Sequence, residues 1–182
     1  MGRTQYIALF RGINVGGRHV LPMKELEVVL RKHGCVDVQT YIQSGNVILS
    51  SAVSDGARLA RQLTAAVSKS HGFEPRVLLL TRGELASAVA GNPFPEATAN
   101  PKSLHLFFLA GVPGKPDLTS IEALKAKTER FALKGRIFYL HTPNGFGTSK
   151  LAERAERFLG VDATARNWRT VTTLLEMAQA AP

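Results

Sequence analysis

The order of the short apolar segments constrains this chain more than any other feature of its sequence. Over the first 80 residues, β-rich runs and amphipathic stretches follow one another as strand, helix, strand, strand, helix, strand. This order is the split βαβ pattern of the ferredoxin-like fold. We therefore predict an α+β protein with a ferredoxin-like βαββαβ N-terminal lobe.

Local signals give the bounds of these first elements. Apolar runs of strand length predict buried strands, while Pro at the start of a helix and Gly at its end are common helix signals. A polar turn at residues 43–46 joins the second and third strands into a predicted hairpin. The predicted strands are residues 6–10, 38–42, 47–49 and 77–80. The first predicted helix begins at Pro22 and ends at Gly34, and the second begins at Asp55 and ends at Gly72. A short helix at 84–90 follows the fourth strand.

The second half repeats this order imperfectly. Its predicted elements are a strand at 104–109, a helix beginning at Asp117 or Thr119, a hairpin of 130–133 and 137–141, a helix capped by Ser149, and a last helix at 165–178. Sequence identity between the halves is not evident, so a duplication is a hypothesis. The predicted organisation is a ferredoxin-like lobe at 1–90, a proline-rich linker at 91–102, and a second, similar α/β lobe at 103–182 that ends in a C-terminal helix.

Composition indicates a globular protein of basic character. The net charge is +9 and the pI is about 10.1, with +5 in residues 1–95 and +4 in residues 96–182. A basic protein attracts nucleic acid and other anions, although the even spread favours a generally basic surface. No signal peptide and no long apolar stretch is present, so we expect a cytoplasmic protein without a membrane partner.

The cysteine and the histidines do not predict a metal site. Cys35 is the single cysteine, which excludes an intramolecular disulfide and a Cys-based zinc site. No two of the five histidines have the spacing of metal ligands, and no Ser/His/Asp set is recognisable. The sequence therefore leaves catalytic residues and cofactors unknown.

Residues 11–18, RGINVGGR, form the most unusual stretch. They follow a predicted strand and precede a helix, and three glycines in six residues permit close approach of a ligand to the backbone. The glycine spacing resembles a phosphate-binding loop, but Arg18 and His19 stand where Lys and Ser or Thr are required. A purely structural Gly-rich connection is the alternative. The candidate contacts are Arg11, Gly12, Asn14, Gly16 and Gly17.

Three further stretches supply candidate binding residues. The turn at 43–46 offers polar side chains, although tight turns also favour such residues. Residues 144–150 lead into a helix N-terminus, which favours an anion, and an ordinary capped loop is the alternative. Near the last helix, Trp168 is predicted to lie in the core while its polar neighbours point elsewhere. The candidates from these stretches are Gln43, Ser44, Asn46, Lys150, Arg166 and Asn167.

Six motifs together resemble those of the domain of unknown function 1697 family. They are residues 6–17 (YIALFRGINVGG), 22–26 (PMKEL), 41–47 (YIQSGNV), 92–94 (NPF), 149–151 (SKL) and 164–171 (TARNWRTV). The resemblance implies a small, mostly bacterial, cytosolic α+β protein of ferredoxin-like character, and it implies no reaction. Family members commonly carry Lys-Asn where this chain has Arg18-His19, and often Asn at the position of Arg169.

The sequence alone does not determine the function. Our first hypothesis is a cytosolic binding protein for an anionic ligand, such as a nucleotide, a phosphorylated metabolite or nucleic acid, that uses its Gly-rich loops. The alternatives are an enzyme of unrecognised class, for which His19 is the best candidate general base, and a structural or interaction protein. The identity of the ligand and the oligomeric state stay open.

Overall fold

The computed structural model describes residues 2–181, which form six α-helices and two four-stranded antiparallel sheets. The strands are β1 (Thr4–Arg11), β2 (Val36–Tyr41), β3 (Asn46–Ser51), β4 (Arg76–Thr81), β5 (Leu104–Leu109), β6 (Arg130–Lys134), β7 (Ile137–His141) and β8 (Ala163–Asn167). The helices are α1 (Met23–Lys32), α2 (Gly56–His71), α3 (Arg82–Ala90), α4 (Leu118–Leu124), α5 (Lys150–Leu159) and α6 (Trp168–Ala180).

The chain divides into two compact units with the same sheet topology. The first unit comprises Met1–Ser87 and Thr173–Pro182, and the second comprises Ala88–Thr172. The strand order is β2-β3-β1-β4 in the first unit and β6-β7-β5-β8 in the second, with every neighbouring pair antiparallel. Both units follow the βαββαβ order, so the predicted α+β class and the two similar lobes are confirmed.

Alternation along β1 builds the core of the first unit. Tyr6, Ala8 and Phe10 share one face of the sheet, as the two-residue period of a strand requires, and they pack with buried leucines of α1 and α2. Fully burying one such leucine contributes about 1.5–3 kcal/mol. The Tyr6 hydroxyl donates to the carbonyl oxygen of Ser54 over 2.7 Å, which satisfies its polar end.

The second unit has an equivalent core on one face of its sheet. Phe107 and Leu109 of β5 pack with Phe138 and Leu140 of β7. Helix α5 covers this face with its apolar stripe, which includes Leu151, Ala155 and Leu159.

Polar caps fix where the helices begin, as the sequence predicts. The Asp55 carboxylate accepts a hydrogen bond from the amide of Arg58 at 3.0 Å, and the Ser149 hydroxyl oxygen accepts one from the amide of Ala152 at 2.9 Å. Each cap satisfies an amide that the first turn of a helix leaves without a partner. Gly72 ends α2 in the left-handed conformation, with φ of +74°.

Residues 91–102, predicted to be a linker, lie within the second unit and contain a 3-10 helix at Pro95–Ala99. Two basic side chains of β6 hold this segment. Lys134 Nζ donates to the carbonyl oxygen of Gly91 at 2.8 Å. Arg130 pairs with Glu96 and lies over the ring of Phe94, 4.8 Å from its centroid.

The predicted start of the last helix at residue 165 is wrong. Residues Ala163–Asn167 form strand β8, which pairs with β5, and α6 begins only at Trp168. Pairing with the free edge of β5 satisfies backbone groups over five residues, and this tertiary gain overrides the weak local preference. Trp168 itself is half-buried.

Candidate functional site

The Gly-rich loop, residues 11–18 at the end of β1, is attached to the β2–β3 turn by the side chain of Asn14. Its Nδ2 donates to the carbonyl oxygens of Leu21 and Gln43, each at 2.9 Å, and its Oδ1 accepts from the amide of Leu21 at 2.8 Å. These bonds close the loop on itself and attach it to the hairpin. Asn14, a predicted ligand contact, therefore positions the loop.

Gly45 makes the second connection between the two segments. The amide of Phe10 donates to the Gly45 carbonyl oxygen at 2.8 Å. A Cβ on Gly45 would lie 2.6 Å from Cβ of Phe10 and 2.7 Å from Cδ1 of Ile13, and its φ is +73°. The structure thus brings the first Gly-rich loop and the hairpin turn together within the first unit.

Asn46 and Ser44 stabilise the hairpin turn from inside. Asn46 is fully buried, and its Nδ2 donates to Ser44 Oγ at 2.8 Å and to the carbonyl oxygen of Tyr41 at 3.3 Å. A buried amide requires such partners, since an unsatisfied polar group is costly. The polar turn residues at these two positions support the conformation of the tip.

Gly16 and Gly17 form the centre of a tight turn. The amide of Arg18 donates to the carbonyl oxygen of Val15 at 3.0 Å, and the φ angles of the two glycines are +56° and +73°. Positive φ at both central positions is typical of a type I′ turn. Both glycines are exposed, and within residues 2–181 neither amide donates a hydrogen bond.

Strand register places two arginines side by side at this end of the sheet. Arg11, the last residue of β1, lies directly opposite Arg76, the first residue of β4. Residues opposite one another in an antiparallel pair project from the same face, and like charges there repel. Arg11 is half-buried and Arg76 is exposed. Arg76 was not a sequence candidate, because only the pairing of β1 with β4 brings it next to Arg11.

His19 is an exposed residue that is held in place by two contacts. Its Nδ1 lies 2.8 Å from the carbonyl oxygen of Gly12. Its ring stacks on Phe73, with 4.6 Å between centroids and 11° between planes. The φ of His19 is +51°, in the left-handed region that residues other than glycine seldom adopt.

The remaining three candidates belong to the second unit. Exposed Lys150 is the first residue of α5 and lines a shallow groove of about 250 Å³ together with Phe146 and Glu153. The Asn167 Oδ1 accepts from the amide of Thr170 at 2.9 Å and so caps α6, and Arg166 Nη1 donates to the carbonyl oxygen of Ala165 at 2.9 Å. The second unit thus holds these candidates on α5 and β8.

His105 on β5 is an unusual titratable group that sequence reasoning missed. Its ring stacks on Phe146, with 3.7 Å between centroids, and its buried Nδ1 has no hydrogen-bond partner within residues 2–181. Burial lowers the pKa of His105 to about 4, because an apolar environment disfavours the charged imidazolium. Side chains of a strand alternate between its two faces, so the position of His105 two residues before Phe107 could have indicated that it faces the helices.

Among residues 2–181, no three His, Cys, Asp or Glu side chains group as metal ligands would. None of the helices there is both long enough and apolar enough to cross a membrane.

The fold and the site define an α+β protein with two similar ferredoxin-like lobes and a Gly-rich loop packed on a polar hairpin turn. The chain belongs to the family described as protein of unknown function (DUF1697), whose family model matches residues 3–139. It is similar to the solved structure of conserved bacterial protein SP0830 from Streptococcus pneumoniae, with 24% sequence identity and a TM-score of 0.72 over 97% of this chain and 99% of that chain. At this identity the likeness shows the fold alone. No curated protein matches the sequence.

Proposed function

We propose that this protein binds an anionic ligand at the end of the first sheet, where β1 runs into the Gly-rich loop. The observation that carries the proposal is the register that sets Arg11 opposite Arg76. A guanidinium group can bind phosphate or carboxylate through two hydrogen bonds, and each of these arginines also makes another interaction in this structure. A nucleotide, a phosphorylated metabolite or nucleic acid fits this chemistry.

The surrounding loop supplies further donors for an anion. The exposed amides of Gly16 and Gly17 lie in the turn that ends at Arg18, which is also exposed. Successive backbone amides in turns bind anions elsewhere in proteins. Gln43 adds an amide side chain at the tip of the hairpin. In the proposed site these groups contact the ligand together with the two arginines and Gly12.

The rigidity of the loop and hairpin supports a binding role. Asn14, Ser44 and Asn46 position the backbone through the hydrogen bonds described above. A site that is rigid before binding loses less entropy when the ligand arrives. We therefore assign these three residues to positioning the site.

Backbone strain is concentrated at the same place. Within residues 2–181, three of the four non-glycine residues with positive φ are Asn14, His19 and Ile42, at φ of +53°, +51° and +49°. Ile42 is β-branched and 53% exposed, and it is the first residue of the turn between β2 and β3. Strained residues cost on the order of 1–3 kcal/mol each and cluster at binding sites. The strain therefore supports a functional reading of the loop and hairpin.

Two parts of the proposal extend beyond this site. Lys150, Arg166 and Asn167 are proposed as further anion contacts in the second unit, where Lys150 stands at the N-terminus of α5. We also propose a bacterial, cytoplasmic setting, which the family resemblance supports and in which phosphorylated ligands are available. An enzymatic role has less support, because His19, the candidate base, is engaged with Gly12 and Phe73.

A thermal-shift screen with charge variants tests the site. Inorganic pyrophosphate, nucleotides, sugar phosphates and short RNA are added to the wild type and to a double variant, Arg11→Gln with Arg76→Gln. A ligand at 100 times its Kd is expected to stabilise the wild type by about 2.7 kcal/mol. The double variant should lose most of this gain because the two cationic groups are gone.

The matched control is Arg58→Gln with Arg61→Gln, which removes two positive charges from exposed positions on α2 in the same unit. It should keep the full ligand shift at moderate salt. An equal ligand shift in the wild type and the double variant would refute the proposed site, as would the absence of any ligand shift in the wild type. RNA binding that fades steeply with salt would identify nucleic acid as the ligand.

A further inference from the structure

His19 presents a fixed aromatic surface to solvent. The Gly12 carbonyl oxygen sets the position of Nδ1 at 2.8 Å, and Phe73 lies nearly parallel against one face of the ring. The residue is nevertheless exposed and has a φ of +51°. An exposed side chain normally gains entropy by moving among rotamers, so holding this one costs free energy. The contacts that fix this exposed ring in one orientation therefore point to a binding role.

The chemistry of this surface suits a flat aromatic ligand. Since Phe73 covers one face of the imidazole, the opposite face and Nε2 are the parts that a ligand can meet. Histidine is one of the side chains on which nucleobases stack in proteins that bind single strands. Stacking of a base on an aromatic side chain contributes about 1–3 kcal/mol and tolerates any base.

Groups suited to a phosphate are neighbours of this ring along the chain. Gly12, whose oxygen contacts the ring, directly follows Arg11, and Arg18 directly precedes His19. The exposed amides of Gly16 and Gly17 belong to the same loop. The proposed anion-binding loop and the stacking ring are adjacent along the chain, and together they correspond to the phosphate and the base of one nucleotide.

We infer that the anionic ligand is a nucleotide unit, either free or within a single strand, whose base stacks on the exposed face of His19. This inference rests on the proposed function and adds the base to it. Its specific content is that removal of the imidazole ring weakens binding of a nucleotide more than it weakens binding of the same phosphate without a base.

Binding of adenosine 5′-monophosphate and ribose 5-phosphate to the full chain tests the inference. Both carry the same phosphate, but only the first has a base. The wild type should bind the nucleotide about 5- to 150-fold more tightly, which corresponds to one stacked base. His19→Ala should bring the ratio of the two Kd values close to one, and His19→Phe should retain the wild-type ratio because a phenyl ring also stacks.

The outcomes separate this inference from the proposed function. If ribose 5-phosphate binds as tightly as the nucleotide and His19→Ala changes neither Kd, the base contact is refuted while the anion site stands. If neither compound nor a short oligoadenylate binds the wild type, both proposals fail. A Kd for oligoadenylate well below that of the mononucleotide, again weakened by His19→Ala, would support a single strand as the source of the nucleotide unit.

Discussion

Replacing His105 with phenylalanine should raise the free energy of unfolding of the second unit at pH 4 by about 3 kcal/mol relative to the wild type, in addition to any difference between the two proteins at neutral pH. Burial lowers the pKa of His105 to about 4, compared with 6.5 for an unperturbed histidine. The unfolded chain therefore binds a proton on His105 at a pH where the folded chain does not. Acid must then favour the unfolded state.

The pH window of this effect follows from the two pKa values. Above about pH 6.5 the ring is neutral in both states and contributes no pH dependence. Stability is lost as the pH falls below 6.5, and the loss is complete once the pH has passed the folded-state pKa of about 4. Phenylalanine keeps the stacking on Phe146 and removes both the titration and the unpartnered Nδ1.

Urea unfolding at a series of pH values measures the effect. Trp168, the single tryptophan, lies in the same unit as His105, so its fluorescence reports unfolding of that unit. The free energies of unfolding of the wild type and the His105→Phe variant should differ by a constant amount at pH 7–8 and diverge below pH 6.5. Parallel profiles down to pH 4 would show that His105 is protonated in the folded protein and would contradict its buried, unpartnered environment.

The second large effect is expected at Gly45, where alanine should destabilise the first unit by about 2–5 kcal/mol. Left-handed backbone costs a residue with a Cβ about 1–2 kcal/mol. The added methyl group would also lie 2.6 Å from Cβ of Phe10 and 2.7 Å from Cδ1 of Ile13. Relief of such overpacking typically costs a further 1–3 kcal/mol or so.

Gly17→Ala provides a matched control for this substitution. Gly17 has the same φ of +73°, but a Cβ there would meet no atom within 4 Å. It should therefore show the cost of the backbone alone, and the difference between the two variants gives the cost of packing. The comparison uses urea unfolding followed by far-UV circular dichroism. Equal losses in the two variants would mean that the contact of Gly45 with β1 and the Gly-rich loop is not tight.

Most of the fold could be predicted from the sequence because its signals are local. The apolar run of β1, the caps Asp55 and Ser149 and the glycine that ends α2 each act within a few residues. Strand β8 escaped prediction because its residues have little strand preference of their own. Only the free edge of β5, more than fifty residues earlier in the chain, makes Ala163–Asn167 a strand.

The candidate site could be predicted only in part, for the same physical reason. The Gly-rich loop and the turn at 43–46 stand out in the sequence because of their unusual residue types. Their contact depends on Asn14 and Gly45, which join positions about 30 residues apart. The placement of Arg76 beside Arg11 depends on strand register, which no local pattern specifies. The stacking of His19 on Phe73 is likewise a tertiary contact.

The central claim, an anion site at the end of the first sheet, is tested most directly by NMR titration of the ¹⁵N-labelled protein with inorganic pyrophosphate. The amide resonances of Gly12, Gly16, Gly17 and Arg11 should shift in a saturable way, and the double variant Arg11→Gln with Arg76→Gln should lose these shifts. Shifts confined to Gly147 and Lys150 at the groove of the second unit, or no saturable shift in the wild type, would contradict the claim.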